Sequence, residues 1–158
     1  MKKIKTNVLR FLDKQKIPYE IREYQYDEQH LSGKDVIDQV DLEAWQIYKT
    51  LVLKGNDDYL VCCIPVLAEI DLKRLAKVTH HKSVEMILQK DLLMITGYMR
   101  GGCSPIGMKK LFPTYFEEDI LQLDKVAVSA GKRGLQVILK PQDLVNCVNG
   151  KIVHVIKE

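Results

Sequence analysis

No apolar run in this 158-residue chain comes near the ~20 residues that a membrane-spanning helix needs. The charged start, Met1-Lys2-Lys3-Ile4-Lys5, leads into no apolar stretch of the kind a signal peptide carries. The four cysteines, Cys62, Cys63, Cys103 and Cys147, include no Cys-x-x-Cys pair. Neighbouring strand residues point to opposite faces, so Cys62 and Cys63 do not form half of a metal site. No metal and no cofactor is expected, and the thiols read as reduced, in a cytoplasmic protein. There is no Gly-x-Gly-x-x-Gly fingerprint and no Gly-Lys-Ser/Thr to end a phosphate loop. His30 and His154 read as isolated, and His80-His81 as a solvated helix terminus, which argues against histidine-based catalysis. The net charge of +3 permits a nucleic-acid partner without requiring one.

What is present fits one soluble domain spanning 1–158. An apolar share of 46% beside 28% charged residues suffices for a proper core. Ile4, Val8, Phe11 and Leu12 lie at helical spacing, predicting an amphipathic helix over 4–16 that ends before Ile17-Pro18. Residues 19–24 alternate as a short strand, and Ser32 is placed to cap a helix over 33–40, with Asp35 in its first turn. Two β-rich runs, 46–53 and 59–64, flank the turn Lys54-Gly55-Asn56-Asp57-Asp58 and predict a hairpin. Asp71 caps a helix through Lys77, an extended piece follows near 84–86, and a helix over 89–95 comes next. Short strands are expected at 113–116, 125–129, 135–139 and 152–156. A helix over 141–148 starts on Pro141 and stops before Gly150. Many short strands with few helices predict an α+β fold, with a mixed, mostly antiparallel, barrel-like sheet surrounded by helices.

Three stretches carry chemistry. Thr96 to Lys110 holds four of the nine glycines, together with Cys103, Ser104 and Pro105. Clustered glycine suits a loop that needs positive φ or close approach of a ligand to the main chain, and its N–H groups suit a carbonyl, carboxylate or phosphate. A purely structural turn is the competing reading. Lys49 falls on the same strand face as Ile47, Leu51 and Leu53, where an ammonium needs a partner or a ligand, unless it snorkels from an edge strand. Gly131-Lys132-Arg133-Gly134 sets two cations between glycines beside Ser129, suited either to phosphate contact or to an ordinary basic turn. Glu117-Glu118-Asp119 reads as a solvated loop.

Together, Lys49-Thr50-Leu51-Val52, Gly97-Tyr98-Met99-Arg100-Gly101-Gly102-Cys103-Ser104-Pro105-Ile106-Gly107 and Val128-Ser129-Ala130-Gly131-Lys132-Arg133-Gly134-Leu135 resemble the YbaK/EbsC family in order and spacing. These are free-standing aminoacyl-tRNA editing domains related to the insertion domain of bacterial prolyl-tRNA synthetases. The resemblance implies clearance of cysteine mischarged onto proline tRNA, and extends to Cys-tRNA(Cys). It implies that Lys49 holds the 3′ end of the charged tRNA, with Tyr24, Thr50, Gly101, Gly102, Ser129 and Gly131 around the aminoacyl group. Lys109, Lys110, Lys132 and Arg133 would meet tRNA phosphates, and prolyl-tRNA synthetase is the implied partner. In that family the substrate's own thiol attacks its ester, so no enzyme nucleophile is implied.

The chain departs from the pattern at Gln136, where some members carry aspartate, so the resemblance gives that position no role. The loop after Asp27 is a residue shorter, and nothing is carried over between Glu28 and Gly33. Relatives that clear alanine share these motifs, which leaves Ala-tRNA(Pro) as an alternative substrate. A non-catalytic adapter for tRNA ends, and an esterase using Cys103 or Ser104, are the readings from other classes.

Overall fold

The structure, a computed structural model, describes residues 5–26 and 33–158. Ile4, the Ser32 cap and the shortened loop lie outside the described residues, as does the side chain of Asp35. Helix α1 runs Asn7–Lys14, inside the predicted span, because Thr6 caps it: the Thr6 hydroxyl accepts from the Leu9 N–H and donates to the Ala130 carbonyl. Val8, Leu9 and Leu12 form its buried face.

The strands form two sheets. In the first, β1 (Glu20–Glu23), β7 (Leu135–Leu139) and β6 (Val126–Ser129) are antiparallel in the order β1-β7-β6. In the second, β2 (Tyr48–Lys54) and β3 (Tyr59–Pro65) make the predicted hairpin, and β4 (Glu85–Met86), β5 (Thr114–Glu117) and β8 (Lys151–Val153) complete the order β4-β2-β3-β5-β8. Parallel pairing of β3 with β5 and of β5 with β8 makes this sheet mixed. An isolated bridge between Ile47 and Ala127 leans the sheets together, and no closed barrel forms among the described residues.

Helices α2 (Gly33–Gln39), α3 (Leu72–Val78), α4 (Leu92–Thr96) and α5 (Pro141–Cys147) follow the predicted pattern; in α3 the Asp71 carboxylate accepts from the Arg74 N–H. The predicted 89–95 helix divides into a 3₁₀ turn, Gln89–Asp91, and α4. The main core packs α1 and α5 against both sheets through Val8, Leu12, Val61, Phe116, Val128, Val137 and Leu144. A second cluster lies under α3 and includes Leu53, Leu60, Cys62, Ile64 and Leu75. A third sits between α2 and the first sheet, from Val36, Val40, Ile47, Ala127 and Ile138.

Two expectations are corrected. Glu117 is not in a solvated loop: it ends β5, is fully buried, and its carboxylate accepts the Val155 N–H at 3.0 and 3.2 Å. His154 is not isolated, since its Nδ1 lies 2.6 Å from Glu117 and its Nε2 3.0 Å from Glu158. Only an imidazolium donates to both at once. The acidic triplet looked like a turn because three charges in a row are usually solvated; the register of β5 and β8 buries the first of them.

Candidate active site

Where β2 begins, the two sheets and the glycine-rich loop enclose a cavity of about 190 Å3. Its floor is the third core cluster: Val36 from α2, and Ile47 and Val66, which face each other at the open end of the hairpin. Polar groups reach it from three directions. Lys49 and Thr50 come from β2, Ser129 and Gln136 from the first sheet, and Arg100, Gly101 and Cys103 from the loop, with Tyr24 closing the side.

The three sequence motifs therefore meet. Ser129 at the end of β6 pairs in register with Gln136 on β7, which sets their side chains next to each other on one face. Lys49 lies on the part of β2 that the two-residue β4 does not cover, since β4 pairs only with Leu53 and Lys54. Burial holds its ammonium below the usual lysine value, with Glu69 opposing the shift. The Thr50 hydroxyl lies 3.8 Å from the Cys63 sulfur. The Ser129 oxygen accepts from the Gly131 N–H at 3.2 Å, which leaves its O–H to donate elsewhere.

The loop is held rather than free. Gly97, at φ 87°, is the left-handed cap that ends α4, and Gly101 adopts φ 86°. The Tyr98 hydroxyl bonds the Ile106 carbonyl, and Asn7 of α1 donates to the Tyr98 oxygen at 3.1 Å and to the Gly107 carbonyl at 2.9 Å. The Gly102 N–H closes a turn onto the Met99 carbonyl, whereas the Gly101 N–H has no hydrogen bond among the described residues. Of the two glycines, Gly101 is the one in the cavity wall.

The other expected residues lie off the wall. Gly102 presses on the backbone of Lys132 and Arg133, where an added Cβ would come within 3.2 Å. Gly131, at φ 92°, packs under Val8, 2.9 Å from where its Cβ would be. Lys132 and Arg133 border a neighbouring groove with Tyr24 and Tyr26, and Arg133 Nε donates to the Arg100 carbonyl at 2.8 Å. The Lys109 side chain crosses Gly97, and the Lys110 ammonium sits 5.8 Å from the Phe112 ring centre. The sequence reading gives Arg100 and Tyr48 no role and names Gln136 only as a departure from the family pattern. The pairing of Gln136 with Ser129 was the available signal, and strand length alone does not give register.

The wall holds two cations, Lys49 and Arg100, and no carboxylate or imidazole among the described residues. Burial pushes the Cys103 thiol up to about 12, so it is no thiolate at neutral pH. Ser104 is fully buried, and its oxygen accepts the Ile106 N–H at 3.2 Å. Neither has an activating base, which weighs against an esterase built on either residue. No group of metal-ligating side chains occurs among the described residues. No helix among them is long and apolar enough to cross a membrane.

A mixed fold whose converging motifs enclose a small cationic cavity defines a class, and residues 28–147 match the aminoacyl-tRNA editing domain. The chain belongs to that family. It is 46% identical over 152 residues, covering 96% of this chain and 93% of the relative, to EbsC of Enterococcus faecalis (strain ATCC 700802 / V583), described as a candidate Cys-tRNA(Pro)/Cys-tRNA(Cys) deacylase. The resemblance read from the three motifs is thereby borne out. Among solved structures, one described as a candidate trans-editing enzyme for prolyl-tRNA synthetase superposes with a TM-score of 0.84 at 18% identity. The match covers 99% of this chain and all of that one, and at that identity it establishes the fold.

Proposed function

We propose that the protein is a trans-editing deacylase that removes cysteine from mischarged Cys-tRNA(Pro), acting in the cytoplasm beside prolyl-tRNA synthetase. One observation carries the reading: a single-amino-acid cavity brings Lys49, Gly101 and Ser129 together and has no carboxylate or imidazole to act as general base among the described residues. A hydrolase that had to activate water would need one. Here the substrate supplies the nucleophile. The cysteinyl sulfur attacks its own ester carbonyl, the C–S bond forms, and the bond from carbonyl carbon to the ribose oxygen breaks. The thiol proton ends on that oxygen, and a cyclic thiolactone leaves.

The protein's share is geometry and charge. Lys49 holds the 3′-terminal ribose-phosphate, and the Gly101 N–H and the Ser129 O–H face the oxygen on which negative charge develops. The apolar floor keeps the thiol folded against the carbonyl, a proximity effect. Tyr24 and Thr50 complete the aminoacyl pocket. Gly102 and Gly131 shape it from behind, by letting the loop approach the third motif and the third motif approach α1. Lys132 and Arg133 lie beside the cavity for phosphate contacts, with Lys109 and Lys110 on the outer side of the loop; such contacts weaken with salt.

Release of cysteine and of alanine from charged proline tRNA, at equal enzyme, tests the proposal. Cysteine is expected to leave quickly and alanine at its spontaneous rate, and Lys49→Ala is expected to lower cysteine release by about a hundredfold or more while the fold and melting temperature are retained. Fast alanine release would make water the attacker and move the protein to an alanine-clearing role. If neither ester were shortened in lifetime, the protein would be a binding module instead.

A further inference from the structure

Two buried polar atoms among the described residues have no hydrogen-bond partner, the Tyr48 hydroxyl and Gln136 Oε1, and both residues belong to the cavity wall. A buried polar group without a partner is costly, so its persistence calls for a reason. The two differ in direction. On β2, Tyr48 alternates with Lys49, and its side chain is part of the main core with Val61 and Cys63. Gln136 alternates on β7 with Leu135 and Val137, which face that core, and so shares the opposite face with Ser129 across the pairing and with Ile138 of the cavity-floor cluster. Gln136 is 5% exposed. Gln136 is one of the residues that line the cavity.

We propose that Gln136 is the acceptor for the α-amino group of the aminoacyl ester, and that it makes the cavity select a free α-amino group. The inference rests on the deacylase reading. An orphaned carbonyl oxygen asks for a donor. Of the groups on a cysteinyl ester, the ester oxygens only accept and the thiol donates weakly, whereas the α-amino group carries N–H donors in either protonation state. Lys49 and Arg100 are the cations of the wall among the described residues, and neither suits a cationic ligand group, whereas a neutral amide does. Gln136 thus supplies a polarity that the cations cannot, beside Ser129 on the first sheet.

The test uses proline tRNA acylated with cysteine or with 3-mercaptopropionate. The second ester lacks the α-amino group and keeps the thiol at the same spacing from the carbonyl. Each enzymatic rate is divided by the spontaneous rate of its own ester. Wild-type protein is expected to favour the cysteinyl ester. Gln136→Met, similar in shape and without the amide, is expected to lose about tenfold or more in kcat/KM on the cysteinyl ester, chiefly through KM, and less than about twofold on the des-amino ester. Gln136→Glu, which keeps an acceptor, is expected to restore the preference. Because Gln136→Met also removes an unsatisfied buried group, its melting temperature should equal or exceed that of the wild type, an outcome that a merely structural residue would not give. Equal losses on both esters, or a variant that both melts early and loses selectivity unspecifically, would overturn the role of Gln136 while leaving the deacylase reading intact. If wild-type protein accelerated neither ester, both would fall.

Discussion

Two buried polar groups of this molecule are treated in opposite ways. Glu117, where β5 meets β8, is fully buried and fully engaged: both carboxylate oxygens accept the Val155 N–H, and one also meets His154. Gln136, in the cavity, is almost as deeply buried and its oxygen is left alone. The first arrangement is what stability requires of a buried polar group, because every unmade hydrogen bond is a loss on folding. The second makes sense where a ligand completes the set.

Removing the engaged group should show the larger effect. Glu117→Ala leaves the Val155 N–H without an acceptor in the core and strips His154 of a partner. A cost of about 2–4 kcal/mol is expected, or a fall of roughly 6–12 °C in melting temperature for a chain of this size. Below its melting range the variant should keep its rate of deacylation. Calorimetry and a deacylation assay on the same preparation measure both. If activity fell while the melting temperature held, the contrast between a structural and a functional group would collapse.

The His154 contacts sharpen the contrast through pH. His154 is held above the ordinary histidine value, first by Glu158 and then by Glu117; Glu118 also approaches, and Arg74 opposes. A folded-state value raised above the unfolded one means that folding favours the proton. The stabilisation is therefore complete below the unfolded histidine value of about 6.5 and is lost as pH rises through the folded value. In melting scans between about pH 5.5 and pH 9, the gap between wild type and His154→Asn should narrow as pH rises. A gap that stayed constant would mean that His154 acts through neutral hydrogen bonds alone. Its contacts are partly exposed, so the effect should also be the smaller for being screened by salt.

Much of this organisation was legible in the chain. Alternation and turn chemistry placed β2, β3 and β7 within two residues at each end, and Asp71 and Pro141 marked helix starts through capping chemistry that is local by nature. The converging motifs were visible as types: a lysine on an apolar strand, a glycine-rich loop, and a basic turn after a strand. What was missing is what only long-range register decides. Parallel pairing of β3, β5 and β8 buries Glu117, and antiparallel pairing of β6 with β7 sets Gln136 beside Ser129. The parallel pairings join segments far apart in the chain and have no local signal; between β6 and β7 the basic turn is visible but its register is not, since the same residues shifted by one would face the other way. The Asn7 contacts that hold the loop are likewise invisible locally, for they join residues about a hundred positions apart.

The smallest expected effect comes from the Tyr48 hydroxyl, which is orphaned like Gln136 Oε1 but on a side chain that packs with the main core. Burial raises this phenol above the usual tyrosine value, and the charges of Asp119 and Glu117 add to the shift. Its ring contributes apolar area to the core, and Phe keeps that area. Tyr48→Phe removes a group with a desolvation cost and no compensating bond, so stability should be unchanged or should rise by up to about 1 kcal/mol. Denaturant unfolding at fixed slope reads this directly. A loss of more than about 1 kcal/mol would mean that a bound water satisfies the hydroxyl. The contrast would then have to be redrawn, with Tyr48 joining Glu117 among the engaged groups and Gln136 as the group left for the ligand.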